Sequence, residues 1–330
     1  MMRLPRFSYS SPDTPREVVS ILAQEGPAAK VVAGGTDLYP NMKRRQVEPA
    51  HVVSLRRVQA LRGIDWQSDG ALRIGPGETL RSIERDSRLK AELPALAAAV
   101  ESISTPLLRN MGTIGGNLCL DTRCTYVNQS LEWRRAIQNC LKCKGDTCWT
   151  APGSTKCWAV NSSDCVPVMI ALGARYTLLG PYGEREIEAE EFYNVDDGRE
   201  WLTLRPGELL TSILIPPQQG AKSAYLKLRR RGTFDFPVLG VAVRVAEEAG
   251  HVARADILLN AVGPAPVRCT EAENALRGAP LEDEQIEAAA DLARKRAKPL
   301  QNTDFLANWR KKMVPVFVRR ALDTLRTAAR

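Results

Sequence analysis

The sequence predicts an α+β protein: two small subdomains that mix strands and helices, followed by a C-terminal domain of strands and then helices. Short β-branched runs alternate with helix-patterned stretches through the first two thirds of the chain. Pro216, Pro217, Gln218, Gln219 and Gly220 form the clearest linker. Beyond it, strand-like segments give way to a basic helical tail.

Each element has a local cause. Ser11, Asp13 and Thr14 are N-cap candidates, Pro15 suits a first helical turn, and apolar residues at helical spacing run through Leu22. The strand-like run Lys30–Ala33 stops at Gly34 and Gly35, and Val52–Leu55 is its counterpart, so residues 1–57 read as the first subdomain. Over 58–218, strand-like Ala71–Ile74, Tyr176–Leu179, Trp201–Leu204 and Leu210–Ile215 alternate with helical Leu80–Asp86, Ala91–Val100 and Val166–Leu172. Residues 222–330 read as strands at Ala224–Leu228 and Val238–Val245, then helices, one opening at Glu282–Glu287 and another over Phe305–Leu325.

Composition narrows the function classes. With 330 residues, 44% apolar and 25% charged, the chain exceeds what one core usually fills and needs no disulfide staples. The N-terminus lacks an apolar signal region and no run approaches the ~18 apolar residues of a membrane span, so a cytoplasmic protein with reduced thiols is expected. The net charge of +8 gathers toward the C-terminus, in Arg294, Lys295, Arg296, Lys298, Arg310, Lys311, Lys312, Arg319 and Arg320. With no reader motif or interleaved aromatics, this reads as a solvated or subunit-docking face and not as a nucleic-acid site.

Two glycine pairs carry the first functional signal. In Val31, Val32, Ala33, Gly34, Gly35, Thr36, Asp37 and Leu38 the pair follows a strand directly, where backbone free of side chains turns sharply and aims N–H groups at an anion. Thr113, Ile114, Gly115, Gly116 and Asn117 repeat the device with hydroxyl and amide donors. Two such cradles suit one diphosphate. The G-x-G-x-x-G and Walker fingerprints are absent.

At VVAGGTDL and TIGGN the chain resembles the flavin-binding medium subunits of the molybdenum hydroxylase, or xanthine oxidase, family. The resemblance continues through Ser163, Asp164 and Pro167, the Glu208–Ile213 segment, and Lys227–Arg231 before Asp235 and Phe236. It implies a vanillyl-alcohol-oxidase-like (PCMH-type) FAD domain in two α/β subdomains, with a C-terminal domain of antiparallel sheet and helices of the CO dehydrogenase flavoprotein type. It also implies an FAD diphosphate on Val31–Leu38 and Thr113–Asn117, with Asp164, Leu210 and Lys227 as further flavin contacts. Asp37 reads better as a turn former, whereas Lys227 is suited to offset charge on a reduced flavin.

In the family pattern GGN runs within a few positions into Ser-x-x-Asp. Here about 40 residues, roughly 121–160, separate the two, and they hold Cys124, Cys140, Cys143, Cys148 and Cys157 with Trp133, Trp149 and Trp158. Cys119, Cys165 and Cys269 read as small buried apolar residues. Spacing alone leaves zinc and an iron–sulfur cluster equally open. Position beside a flavin cradle favours a redox centre, since zinc there would only brace the loop. The insertion resembles that of the 4-hydroxybenzoyl-CoA reductase branch, which implies a [4Fe-4S] cluster on cysteines separated by 15, 7 and 8 residues: Cys124, Cys140, Cys148 and Cys157, with Cys143 the rival for one position.

The same resemblance implies a large molybdenum-cofactor subunit and a small [2Fe-2S] subunit in a dimer of heterotrimers, with ferredoxin as electron donor. Substrate chemistry would belong to a partner, so no catalytic acid, base or nucleophile is expected here. The alternatives are the flavin subunit of another molybdenum hydroxylase and a zinc-binding structural module.

Overall fold

The computed structural model describes residues 3–327. Its first sheet is parallel, with β1 (Ser8–Ser10), β2 (Ala29–Val32) and β3 (His51–Ser54) in the order β1-β3-β2. The crossover helix Pro15–Glu25 starts at Thr14 with a capping box, in which Thr14 accepts from the Glu17 N–H and the Glu17 carboxylate accepts from the Thr14 N–H. Val18 and Val19 on this helix pack with Ala29 and Val53 of the sheet.

The second sheet comprises β4 (Ile64–Trp66), β5 (Leu72–Ile74), β6 (Arg175–Gly180), β7 (Gly183–Glu188) and β8 (Leu209–Ile215), antiparallel in the order β4-β5-β8-β6-β7. Its core includes the helices Pro94–Ser102 and Cys165–Ala171, the latter buried at every residue. Two local expectations change. The helix expected over Ala91–Val100 is broken at Leu93, because the ring of Pro94 disfavours helical backbone in the residue before it. Trp201–Leu204 forms no strand: Leu202 makes one isolated bridge to Tyr193.

The third sheet is antiparallel, β12-β11-β10-β9, from β9 (Lys222–Leu228), β10 (Leu239–Glu248), β11 (His251–Asn260) and β12 (Val267–Arg268). Ala249 and Gly250, both at positive φ, make the two-residue turn between β10 and β11. Side chains alternate across this sheet. Ala224, Val241, Val243, Ile257 and Leu259 pack with residues of the helices Thr270–Leu276, Asp283–Arg296 and Ala307–Thr327. Tyr225, Ala242 and Leu258 join the core of the second sheet instead. Covered on both faces, the sheet carries β9 residues into the seam between the two units.

The fold class is therefore the one expected, mixed α and β with antiparallel sheets. The basic tail is not wholly a solvated face: Arg310 is fully buried and donates to the carbonyls of Val238, Leu300 and Ala261. A guanidinium has five donors, enough to serve several carbonyls at once. Among the described residues no helix is long and apolar enough to cross a membrane.

Candidate functional site

The fold brings the two glycine loops into direct contact. A Cβ on Gly34 would stand 1.8 Å from the Met111 carbonyl oxygen, so only glycine lets the first loop lie against the second. Gly35 sits at φ +70, beside the Tyr39 ring. Among the described residues, the N–H groups of Gly34, Gly35, Thr36, Asp37 and Leu38 have no hydrogen-bond partner within the chain. Five adjacent unspent donors at the entry to the helix Leu38–Lys43 fit an anionic diphosphate.

The second loop is built differently. The N–H groups of Ile114 and Gly115 donate to Glu78 and Pro76 carbonyls, that of Gly116 to Thr113 Oγ1, and that of Asn117 to the Thr113 carbonyl. Only Thr113 in this loop keeps a free N–H. Gly115 presses on Pro76, where a Cβ would meet ring and backbone within 2.7 Å, while Gly116 is exposed. Asn117 Oδ1 accepts from Ser163 Oγ at 2.7 Å and from the Cys165 N–H at 3.3 Å. The loop is thus a wall knitted to the turn 75–79 and to the Ser163–Asp164 segment, and its donors are largely committed. The turn at Gly75, Pro76 and Gly77 was not singled out from sequence, although its Gly-Pro-Gly run was a readable signal.

Asp164 and Lys227 meet in the seam. Asp164 Oδ2 accepts from Lys227 Nζ at 2.8 Å and Oδ1 accepts from the Tyr225 hydroxyl at 2.7 Å. Lys227 also donates to the Ser102 carbonyl, as does Arg229. Burial pushes the Asp164 carboxyl up and the Lys227 ammonium down, and each charge opposes the shift of the other. Tyr225 was missed from sequence, yet it lies two residues before Lys227 on one face of β9. Leu210 is buried in the core of β8, paired with Leu178.

Residues 5–218 match the family described as FAD binding domain in molybdopterin dehydrogenase, and residues 223–325 match the CO dehydrogenase flavoprotein C-terminal domain. The chain belongs to the FAD-binding subunits of the molybdopterin dehydrogenase family. It is 31% identical to the carbon monoxide dehydrogenase medium chain of Afipia carboxidovorans over 98% of each chain. It is 28% identical to the xanthine dehydrogenase FAD-binding subunit of Escherichia coli O157:H7, over 86% of this chain and 84% of that one. A solved structure of carbon monoxide dehydrogenase from Hydrogenophaga pseudoflava, which lacks the Mo-pyranopterin moiety of its cofactor, superimposes with a TM-score of 0.81, at 29% identity over 99% of both chains.

In this flavin subunit the cysteine segment is a closed appendage. Arg123 and Val160 exchange both backbone hydrogen bonds at 2.8 Å, an antiparallel bridge that pinches the base of the insertion. Asn302 of the C-terminal domain holds both ends, accepting from the Thr125 N–H and donating to the Trp158 carbonyl. Cys124, Cys140, Cys148 and Cys157 are all buried, whereas Cys143 is half-buried. Cys124, Cys140 and Cys157 pack with Val127 and Ala159 in one apolar cluster, and Cys148 lies near enough to act electrostatically on both Cys124 and Cys157.

The thiols differ in their surroundings. Burial pushes Cys157 up to about 11, whereas the Cys143 side chain and the N–H groups of Lys142 and Cys143 stabilise a Cys140 thiolate and bring it down to about 6. Among the described residues no group of three or more His, Cys, Asp or Glu side chains is disposed to hold a single metal ion. The tryptophans are braces more than a buried cover. Trp133 and Trp149 are partly exposed, and the Trp149 and Trp158 ring N–H groups donate to the Asn139 carbonyl and Ser154 Oγ within the insertion.

Sequence reasoning missed the arginines that fasten this appendage. Arg123 Nη2 pairs with Asp37 Oδ1, and its guanidinium lies 4.8 Å from the Phe236 ring centroid. Arg134, 2% exposed, donates to the carbonyls of Val127, Gln129, Arg44 and Arg45. Lys142 pairs with Asp121 at 2.7 Å and donates to the Gly198 carbonyl.

Proposed function

We propose that this chain is the FAD- and [4Fe-4S]-bearing electron-transfer subunit of a 4-hydroxybenzoyl-CoA reductase. In this reading it passes low-potential electrons from ferredoxin toward a molybdenum subunit that converts 4-hydroxybenzoyl-CoA to benzoyl-CoA. The observation that carries the reading is the burial of Cys124, Cys140, Cys148 and Cys157 in an appendage anchored to a flavin loop, with Cys124, Cys140 and Cys157 in one apolar cluster against which Cys143 also packs. A cubane distributes its ligands over its corners, so thiols that share a patch without converging on one point suit it better than they suit zinc.

The flavin diphosphate is assigned to the loop Val31–Leu38, whose N–H groups are unspent, with Thr113–Asn117 as the facing wall. Asp164 and Lys227 present a buried carboxylate and ammonium at the seam, and Leu210 supports the floor from β8. When bound, FAD supplies one- and two-electron chemistry. The chain's own residues position it: Lys227 holds a positive charge whose hydrogen-bond partners are Asp164 and Ser102, and Asp164 is fixed by Tyr225. The proposed partners are a large molybdenum-cofactor subunit and a small [2Fe-2S] subunit in a dimer of heterotrimers. The division at 57 and 218–222, and a cytoplasmic location, belong to the same reading.

A second reading, the flavin subunit of an oxidative hydroxylase, draws support from the carbon monoxide and xanthine dehydrogenase relatives. It leaves the buried cysteines without a role. Anaerobic purification of the complex tests both: about four iron and four sulfide per chain of this type beyond those held by the small [2Fe-2S] subunit, with turnover dependent on 4-hydroxybenzoyl-CoA, supports the first. Turnover of xanthine or carbon monoxide without a CoA thioester sinks it.

A further inference from the structure

The helix Leu38–Lys43 leaves the first glycine loop, and the cysteine insertion grips it at both ends. At its start, Arg123 pairs with Asp37, whose other oxygen accepts from Asn41 Nδ2 at 2.9 Å, and Arg123 Nη1 reaches Asn41 Oδ1. At its end, Arg134 donates to the Arg44 and Arg45 carbonyls, and Gln46 Nε2 donates to the Val127 carbonyl at 2.8 Å. Arg123 and Arg134 are nearly fully buried. The grip therefore comes from side chains with little freedom to follow the loop if the insertion loosens.

We propose that the insertion is a positioning device for FAD as well as an electron carrier: Arg123 and Arg134 hold the phosphate-facing loop in its donor geometry, so that order in the cysteine segment sets flavin affinity. The inference rests on the cluster reading only for what orders the segment. By linkage the coupling runs both ways, so bound FAD protects the metal centre as the metal centre tightens FAD. Asp37 then has a role beyond turn formation, as the residue through which Arg123 acts.

The test is FAD titration of the purified complex, stripped of flavin, for wild type, R123Q, R123K, D37N and the R123Q/D37N pair, with iron and sulfide measured on each sample. R123Q is expected to weaken FAD about tenfold. R123K should restore part of that loss, and the pair should lose no more than the worse single variant. In wild type, saturating FAD should slow loss of iron to a chelator, and in R123Q it should not. FAD affinity within twofold of wild type in R123Q, or strictly additive losses in the pair, overturns the proposal. The two readings fail separately. Wild-type complex whose iron and sulfide do not exceed those of the small [2Fe-2S] subunit, and in which R123Q still weakens FAD, sinks the cluster but leaves the positioning role. Full iron content with unaltered FAD affinity in R123Q does the reverse.

Discussion

Asp164 and Lys227 form an ion pair at 2.8 Å with side chains 3% and 5% exposed, joining the helix Cys165–Ala171 to β9 across the seam between two sheets. Each partner is tolerable in that position only because of the other, since an isolated buried charge costs several kcal/mol. Tyr225 and the Ser102 carbonyl complete the arrangement.

Replacing Lys227 by Met strands the Asp164 carboxylate. Stability should fall by about 3–5 kcal/mol in urea unfolding, and the double variant K227M/D164N should recover part of that loss. Additive losses in the double variant would show that the two side chains act independently.

The pair Glu84 and Arg109 predicts a pH dependence. Arg109 Nε and Nη2 each lie 3.0 Å from a Glu84 oxygen, and this fork brings the carboxyl down to about 2. Because the folded value lies below the unfolded one of about 4.3, the contribution is fully present above pH ~4.3 and is lost as pH falls toward 2. Urea midpoints measured between pH 5 and 2.5 should fall less steeply in E84Q than in wild type.

Gly34→Ala should cost about 2–4 kcal/mol and empty the FAD site, since the new methyl meets backbone and not a movable side chain. Gly116→Ala meets only Thr113 Oγ1, at 3.1 Å, and should stay within about 1 kcal/mol of wild type. Flavin content and thermal melts of the two variants check the contrast.

Serine at Cys124, Cys140, Cys148 or Cys157 should abolish the iron and sulfide that the complex holds beyond those of its small [2Fe-2S] subunit. Serine at Cys143, half-buried and beside Cys140, should preserve both while altering the visible spectrum of the centre. Loss of iron in C143S, with retention in any of the other four, would reassign the ligands.

Much of this was legible because its causes are local. The capped start of the helix after Thr14, the glycines ending β2 and the Pro-rich linker depend on residues a few positions apart. The strand expected at Trp201–Leu204 failed for the opposite reason: its residues favour a strand, but the second sheet ends at β7 and offers them only Tyr193 to pair with. The second glycine loop looked like a set of donors. Which N–H groups are already spent depends on the turn at Pro76 and Glu78, brought in from almost forty residues upstream.

By itself the sequence determined the α+β class, the two glycine loops and the clustering of five cysteines, since propensity, turn chemistry and spacing are written in neighbouring residues, whereas the limits of the cysteine segment near 121 and 160 came from its resemblance to the family pattern. Only the tertiary structure decided that Arg123 meets Asp37 across 86 positions, that Lys227 meets Asp164 across 63, and which thiols are buried. Those outcomes follow from how the sheets pack and which charges they take out of water. No short-range signal carries that information, because desolvation and pairing are properties of the assembled interior.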